Sequence, residues 1–199
     1  MSEVMNTKRI IARSLKELSE EKPFDKISVG EIAARSNVNR QTFYYHFQDK
    51  YDLLNWIYRE DYFLPNMQGI TMENWDVCLG GILESVSRDR SFCINTIRHT
   101  ESDVREVFLK DTEHIFDSAI MYLRAQSEEN DRTFRHMDPE EQRFIARFFA
   151  YGVCGMLIEW IEHGMEDEPK TVASRMRLLL DTCKELAYKQ ASREIQDSQ

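Results

Sequence analysis

Glycine and proline are scarce in this chain, at 7 and 4 of 199 residues. Few positions are left to turn the backbone, which disfavours a barrel of short strands and favours long helices. A secretory leader is not visible, because the opening MSEVMNTKRII has no uninterrupted apolar region. The longest apolar run, 148–158, holds two glycines and falls short of the ~20 residues that cross a bilayer. It is expected to be a buried helix, with no membrane partner. Cys78, Cys93, Cys154 and Cys183 lie far apart without a CxxC pair, and read as reduced thiols of a cytoplasmic protein. No nucleophile motif, glycine-rich phosphate loop or HExxH is present, so no catalytic residue, cofactor or metal site is assigned and no enzyme is expected. Glu159 and His163 have a metal-compatible i, i+4 spacing but no second such pair, and read as a surface pair.

What is present is a 42% hydrophobic fraction, enough for a sizeable core, and an uneven charge. The net charge of −9 argues at first against a nucleic-acid partner. Residues 1–50, however, hold nine Lys and Arg against seven Asp and Glu, whereas the other 149 hold seventeen against twenty-eight. The acidity belongs to the later part of the chain, which would repel DNA and leave the first part to meet it.

Helix punctuation is dense at the start. Ile11, Leu15 and Leu18 recur at i, i+4, i+7 among Lys8, Arg9 and Lys16, predicting an amphipathic helix over about 6–18 that ends near Pro23. Ser28-Val29-Gly30-Glu31 is a capping box opening a short helix to about Arg35, with Ile32 and Ala33 inward. Asn37 falls where a tight turn needs tolerance of positive φ. Asn39 can cap a third helix with Phe43 and Phe47 on one face, and Asp49 a fourth from Lys50. Further helices are predicted over 50–64 (stopped by Pro65), 73–88, 90–99, 102–127, 139–164 and 171–190. Asp138-Pro139-Glu140-Glu141 marks a start and Gly164 a stop, and 128–136 reads as a polar loop. The expected architecture is all-α, with a three-helix helix-turn-helix domain over 1–50 and a helical domain over 51–199.

The spacing in the third helix points to chemistry. At ~100° per residue, burying Phe43 and Phe47 turns Gln41 and Tyr45 outward, with Thr42 and Tyr44 on the flanks. Arg40 lies in the first turn, where recognition helices meet base edges. Arginine pairs bidentately with guanine and glutamine with adenine, and hydroxyls suit phosphates. Lys50, at a helix N-terminus, is placed to hold another phosphate.

The segment SVGEIAARSNVNRQTFYYHFQDKYDLL resembles the DNA-binding region of TetR-type transcriptional regulators, whose recognition helix typically reads x-T-F-Y-x-H-F-x-x-K. The likeness covers about 7–55. It implies Thr42, Tyr44 and Lys50 at phosphates, Arg40, Gln41 and Tyr45 at bases, and His46 at the groove edge. Asn37 stands where that family often has Gly, and Tyr45 where a smaller or basic residue is common, which leaves the operator sequence open. The resemblance also implies a homodimer through the last two long helices, 139–164 and 171–190, on a palindromic double-stranded DNA operator. Gly152 and Gly155 would allow close approach, and Val172, Met176, Leu179, Leu180, Cys183, Leu186 and Ala187 form an apolar face. FQDKYDLLNWIYRED and EWIEHGM are similar to the DhaS-like subgroup of dihydroxyacetone-kinase operon regulators, some of which activate transcription and take their signal from a protein.

The C-terminal domain would accordingly receive an unknown small-molecule effector or a protein partner. Trp75, Phe92, Phe108, Phe116, Phe148 and Trp160 line a pocket in one reading and fill the core in the other. Arg98 and His99 are polar groups of that pocket or members of a helix-end cluster. A helical-bundle enzyme carrying a DNA-binding head is the remote alternative, disfavoured by the missing catalytic constellation.

Overall fold

The computed structural model describes residues 3–69, 74–100, 109–110, 112–114, 116–118, 120–121 and 138–197, with side chains as far as Cys183. All regular structure among the described residues is helical. In chain order these are α1 (Glu3–Glu21), a 3-10 turn (Phe24–Lys26), α2 (Val29–Arg35), α3 (Arg40–His46) and α4 (Lys50–Ile57). A π-helical turn (Tyr58–Phe63) leads into α5 (Leu64–Met67), followed by α6 (Trp75–Arg88), α7 (Arg90–Arg98), α8 (Pro139–Glu162) and α9 (Pro169–Asp197).

Several boundaries differ from expectation for identifiable reasons. α1 begins at Glu3 and stops at Glu21, two residues short of Pro23. Pro65 does not stop the fourth helix. Proline has no N–H for the carbonyl four residues back, and here the ladder widens just before it: Leu64 donates its N–H to the Arg59 carbonyl. The chain then continues helically with Pro65 in the first turn of α5. α9 extends past both ends of the expected 171–190. The helix expected over 102–127 lies mostly outside the described residues, as do Phe108 and the loop expected over 128–136; the described positions between 109 and 121 are helical.

α8 contains the 148–158 run but is 24 residues long, and by length and composition alone it is sufficient to cross a membrane. Its sequence nevertheless distinguishes its faces. Ala146, Ala150, Cys154, Leu157 and Ile161 are buried, whereas Phe144, Phe148 and Tyr151 are exposed. Gly164 at φ 82° and Met165 at φ 56° turn the chain out of the helix, and the Met165 N–H closes on the Trp160 carbonyl at 2.7 Å.

One apolar core runs through the fold. Ile11, Leu15, Phe24, Ile32, Phe43, Leu53 and Ile57 are fully buried in its first part. It continues without a break through Tyr58, Tyr62, Leu83, Phe92 and Cys93 to Leu157, Ile161 and Met176. Each such large side chain contributes roughly 1.5–3 kcal/mol on burial, so the first helices are anchored to the body by the same interior that forms it. Polar contacts reinforce that junction: the Lys16 ammonium of α1 lies 2.8 Å from Asp61 and 2.6 Å from Asp89, and the Tyr62 hydroxyl donates to Asp89 at 2.8 Å. All four cysteines are free; burial pushes the Cys93 thiol up to about 12 and Cys154 to about 11.

Candidate DNA interface

Local chemistry builds α2 and α3 before any long-range contact is needed. Ser28 Oγ accepts the Glu31 N–H at 3.3 Å while Glu31 Oε2 accepts the Ser28 N–H at 3.0 Å, completing the reciprocal cap. Lys22 pairs with the same carboxylate, and with the Ser28 hydrogen bonds holds it down to about 2. Asn37 takes φ 55°, and the Val38 N–H closes the turn on the Ala33 carbonyl at 3.0 Å. Asn39 Oδ1 then accepts the Thr42 N–H at 2.7 Å and starts α3.

The turn sets α3 with Phe43 and Phe47 inward, at 0% and 2% exposure, and Tyr44 and Tyr45 outward, at 56% and 77%. Arg40 and Gln41 are exposed on the same short helix. Arg40, Gln41, Tyr44 and Tyr45 thus share one solvent-facing surface, with donors and acceptors suited to base edges and hydroxyls suited to phosphates. His46 is half-buried and packs edge-on against the Tyr45 ring, centroids 5.0 Å apart. Burial, and secondarily the charge of Lys8, holds its imidazole below the usual histidine range.

Two of the expected contacts face differently. The Thr42 hydroxyl donates to Asn39 Oδ1 at 3.0 Å, so its proton serves the cap. Lys50 turns into the fold. Its ammonium donates to the carbonyls of Phe24, Asp25 and Ile27 at 2.9, 3.0 and 3.0 Å and sits 4.8 Å from the Phe24 ring centroid. All three donors of the ammonium are engaged, and burial draws its pKa below the ordinary lysine value. The structure therefore separates Lys50 from the exposed surface of α3.

Of the residues expected to line an effector pocket, Phe92, Trp160 and Trp75 belong to or pack on the main core, and the others lie elsewhere among the described residues. Phe92 is core, its ring 6.1 Å from Tyr58. Trp160 is buried and donates its indole N–H to the Asp167 carbonyl at 2.9 Å, whereas Trp75 is half-buried at the start of α6. Phe116 stacks on Phe149, 5.6 Å between centroids, in a separate cluster with Ile120 and Ala146. Phe148 is 66% exposed on the outer face of α8. Arg98 donates to the Glu162 carbonyl, tying α7 to α8, and His99 is exposed with Nδ1 4.0 Å from Asp25. His163 places Nδ1 at the Glu159 backbone carbonyl, 2.8 Å away, instead of at its carboxylate.

Two residues escape a sequence reading. Gly30 underlies the Arg40 guanidinium, and Asn95 of α7 holds the end of α1. A glycine inside so short a helix is the signal for the first. The second has none beyond an asparagine in mid-helix.

A basic-headed helix-turn-helix with an exposed polar and aromatic second helix, carried on an acidic helical body, defines a DNA-binding transcriptional regulator. The chain belongs to the tetR family of bacterial regulatory proteins: that family's N-terminal model matches residues 11–57, and a transcriptional regulator C-terminal region matches 73–182. It is 27% identical over 180 residues, 90% of this chain and 92% of the relative, to the HTH-type dhaKLM operon transcriptional activator DhaS of Lactococcus lactis subsp. lactis (strain IL1403). A solved structure of a dihydroxyacetone kinase operon activator DhaS matches with a TM-score of 0.67 and 25% identity, over 90% of this chain and 97% of that one. The fold is also that of Thermus thermophilus FadR, a TetR family repressor solved with lauroyl-CoA. That match has a TM-score of 0.57 and 18% identity, over 87% of this chain and 93% of that one.

Proposed function

We propose that this regulator binds a palindromic double-stranded DNA operator as a homodimer, reading it with Arg40, Gln41, Tyr44 and Tyr45 and with Thr42 and His46 at the groove edge. In this reading residues 1–50 are the head and 51–199 the regulatory body of a cytoplasmic protein. Lys50 serves from behind, holding the Phe24–Lys26 turn under the start of α4. The observation that carries the reading is the pair Tyr44 and Tyr45, large aromatic side chains left exposed between two buried phenylalanines. Aromatic rings cost apolar area when exposed to water, and a groove with phosphates and bases is a surface that would cover them.

Dimerisation would use α8 and α9. Phe144, Phe148, Tyr151 and Gly155 fall within about 60° of arc on α8, and the first three are 71%, 66% and 55% exposed. Leu178 and Leu179 of α9 are 69% and 64% exposed, and a Cβ at Gly152 or Gly155 would meet open space. Two copies of this stripe can bury each other by an isologous contact, which also matches a palindromic site.

The decisive test is fluorescence anisotropy with the DNA upstream of the regulator's own gene. The wild-type chain is expected to bind in a salt-dependent manner, and a Tyr44→Ala, Tyr45→Ala double variant to lose at least tenfold. Equal affinity of the double variant would sink the proposed surface.

A second reading concerns the signal. The seven described pocket candidates, placed in the main core, in the Phe116 cluster or on the surface, favour input from a protein docked on the body over a small molecule held inside it. The DhaS relatives are activators, and we read the output of this chain as activation on the same footing. Co-purification of a stoichiometric protein from the native cell supports partner input; a cell metabolite that raises the melting temperature of the isolated chain supports the effector reading.

A further inference from the structure

Gly30 is the second residue of α2, a seven-residue helix in which alanine would be the better helix former. Its backbone is ordinary helix, so no special φ calls for glycine there. What calls for it is Arg40. A Cβ built on Gly30 would collide with Arg40 Nη2 and lie 3.1 Å from both Cζ and Nε, and no closer neighbour comes from any other residue. The guanidinium thus fills the space that a side chain at Gly30 would take, bridging the first helix of the helix-turn-helix and the first turn of the second. Arg40 is exposed, and its guanidinium lies where a side chain at Gly30 would stand.

We propose that Gly30 is a specificity-determining residue: the space of its missing side chain seats the Arg40 guanidinium against α2 and sets the direction from which Arg40 meets a base edge. The inference rests on the reading of Arg40 as a base contact. Recognition of guanine O6 and N7 needs the planar fork presented edge-on, and a fork already lying in one plane loses less rotamer freedom when it binds. A methyl group at position 30 would displace only the far end of a flexible side chain. The fold would tolerate it, and the direction of the fork would change.

The test uses the full chain and a duplex that the wild-type protein enriches from a pool of randomised sequence. Affinities are measured for that duplex and for its single-base-pair variants, with Gly30→Ala, Gly30→Ser, Arg40→Ala and the Gly30→Ala, Arg40→Ala double variant. Gly30→Ala is expected to melt at or above the wild-type temperature yet bind the selected duplex about tenfold more weakly, with altered preference at the base pair whose discrimination Arg40→Ala removes. In the Arg40→Ala background the same change is expected to alter affinity less than about twofold. Should Gly30→Ala melt lower, Gly30→Ser applies the same displacement and is scored in its place. Wild-type affinity and base preference in the Gly30 variants, or an equal loss in both backgrounds, overturns the seat. Full discrimination by Arg40→Ala overturns the base-contact reading and the seat together, whereas its loss with discrimination intact in Gly30→Ala overturns the seat alone.

Discussion

Asn95 of α7 donates its side-chain amide to the Ser19 carbonyl near the end of α1, at 2.6 Å. The same amide reaches the Lys22 carbonyl at 2.9 Å, and Asn95 Oδ1 accepts the Phe24 N–H at 2.9 Å. One side chain thereby satisfies backbone groups that the end of a helix and the following turn leave free. It also joins the DNA-binding head to a helix that Arg98 ties to α8.

Removing that clamp should loosen the head. Asn95→Ala leaves three part-buried backbone groups to find water, and is expected to lower stability by about 2–3 kcal/mol. Urea unfolding should show a lower midpoint with an unchanged slope. Hydrogen exchange should quicken at 19–27 before it does in α8. Unaltered exchange in that segment would mean the core alone fixes the junction.

The second contact across the junction carries a pH signature. Lys16 sits between Asp61 and Asp89; burial opposes its charge, but the two carboxylates prevail and its pKa is raised. Burial likewise opposes ionisation of Asp89, and hydrogen bonds from Lys16 and Tyr62 overcome it to lower its pKa. A lowered acid contributes stability above its unfolded value and loses it as pH falls below about 4; a raised lysine contributes below about 10.5 and loses it as pH rises beyond. The contribution of this cluster should therefore be flat between those limits and fall outside them, read as the difference between wild type and a Lys16 variant. Lys16→Met leaves Asp61 with Arg9 and Asp89 with the Tyr62 hydroxyl as their remaining partners, should cost roughly 1–3 kcal/mol at neutral pH, and should move the acid limb upward. Thermal melts of both chains from pH 3 to 11 read this directly.

The contrast between the caps and the clamps explains what the sequence discloses. Ser28 with Glu31, Asn37, Asn39 with Thr42, and Asp49 all act within four residues, and each was legible because helix ends are satisfied locally. The inward pair Phe43 and Phe47 was legible by period alone. Lys50 was not, since its three carbonyl partners lie 23 to 26 residues earlier and only the packed head brings them to its ammonium. Asn95 reaches across more than seventy residues, beyond any pattern in the chain. Aromatic residues of the body were ambiguous for a related reason. Composition does not say whether Phe148 turns inward or out, and it turns out.

The outward stripe on α8 yields a prediction about assembly. Phe148→Glu introduces a charge where two copies would bury an apolar ring, while the monomer keeps its interior because position 148 is already solvent-facing. Sedimentation velocity is expected to show a dimer for the wild-type chain and a monomer for the variant, with an unaltered circular dichroism spectrum. Operator affinity should fall by at least a hundredfold, because each half-site contact then has to form independently. A dimeric Phe148→Glu chain would move the interface to another face.

Lys50 separates structural support from phosphate binding most cleanly. A lysine that neutralises a phosphate releases a counterion, so its removal lowers the slope of log affinity against log salt by about one. Here the ammonium is spent on the carbonyls of Phe24, Asp25 and Ile27. Lys50→Met keeps an unbranched apolar side chain and removes the ammonium near the Phe24 and Tyr51 rings with its three charge-assisted hydrogen bonds, a loss of roughly 2–4 kcal/mol. The variant is expected to melt several degrees lower and, below its melting range, to bind the operator with the wild-type salt slope. Sign matters as well: because burial lowers the Lys50 pKa, the folded head releases this proton more readily than the unfolded chain does. Its contribution thus grows more favourable as pH rises through the folded value, opposite to that of Lys16. A slope reduced by one with unchanged melting would instead show that Lys50 leaves its three carbonyls when DNA arrives.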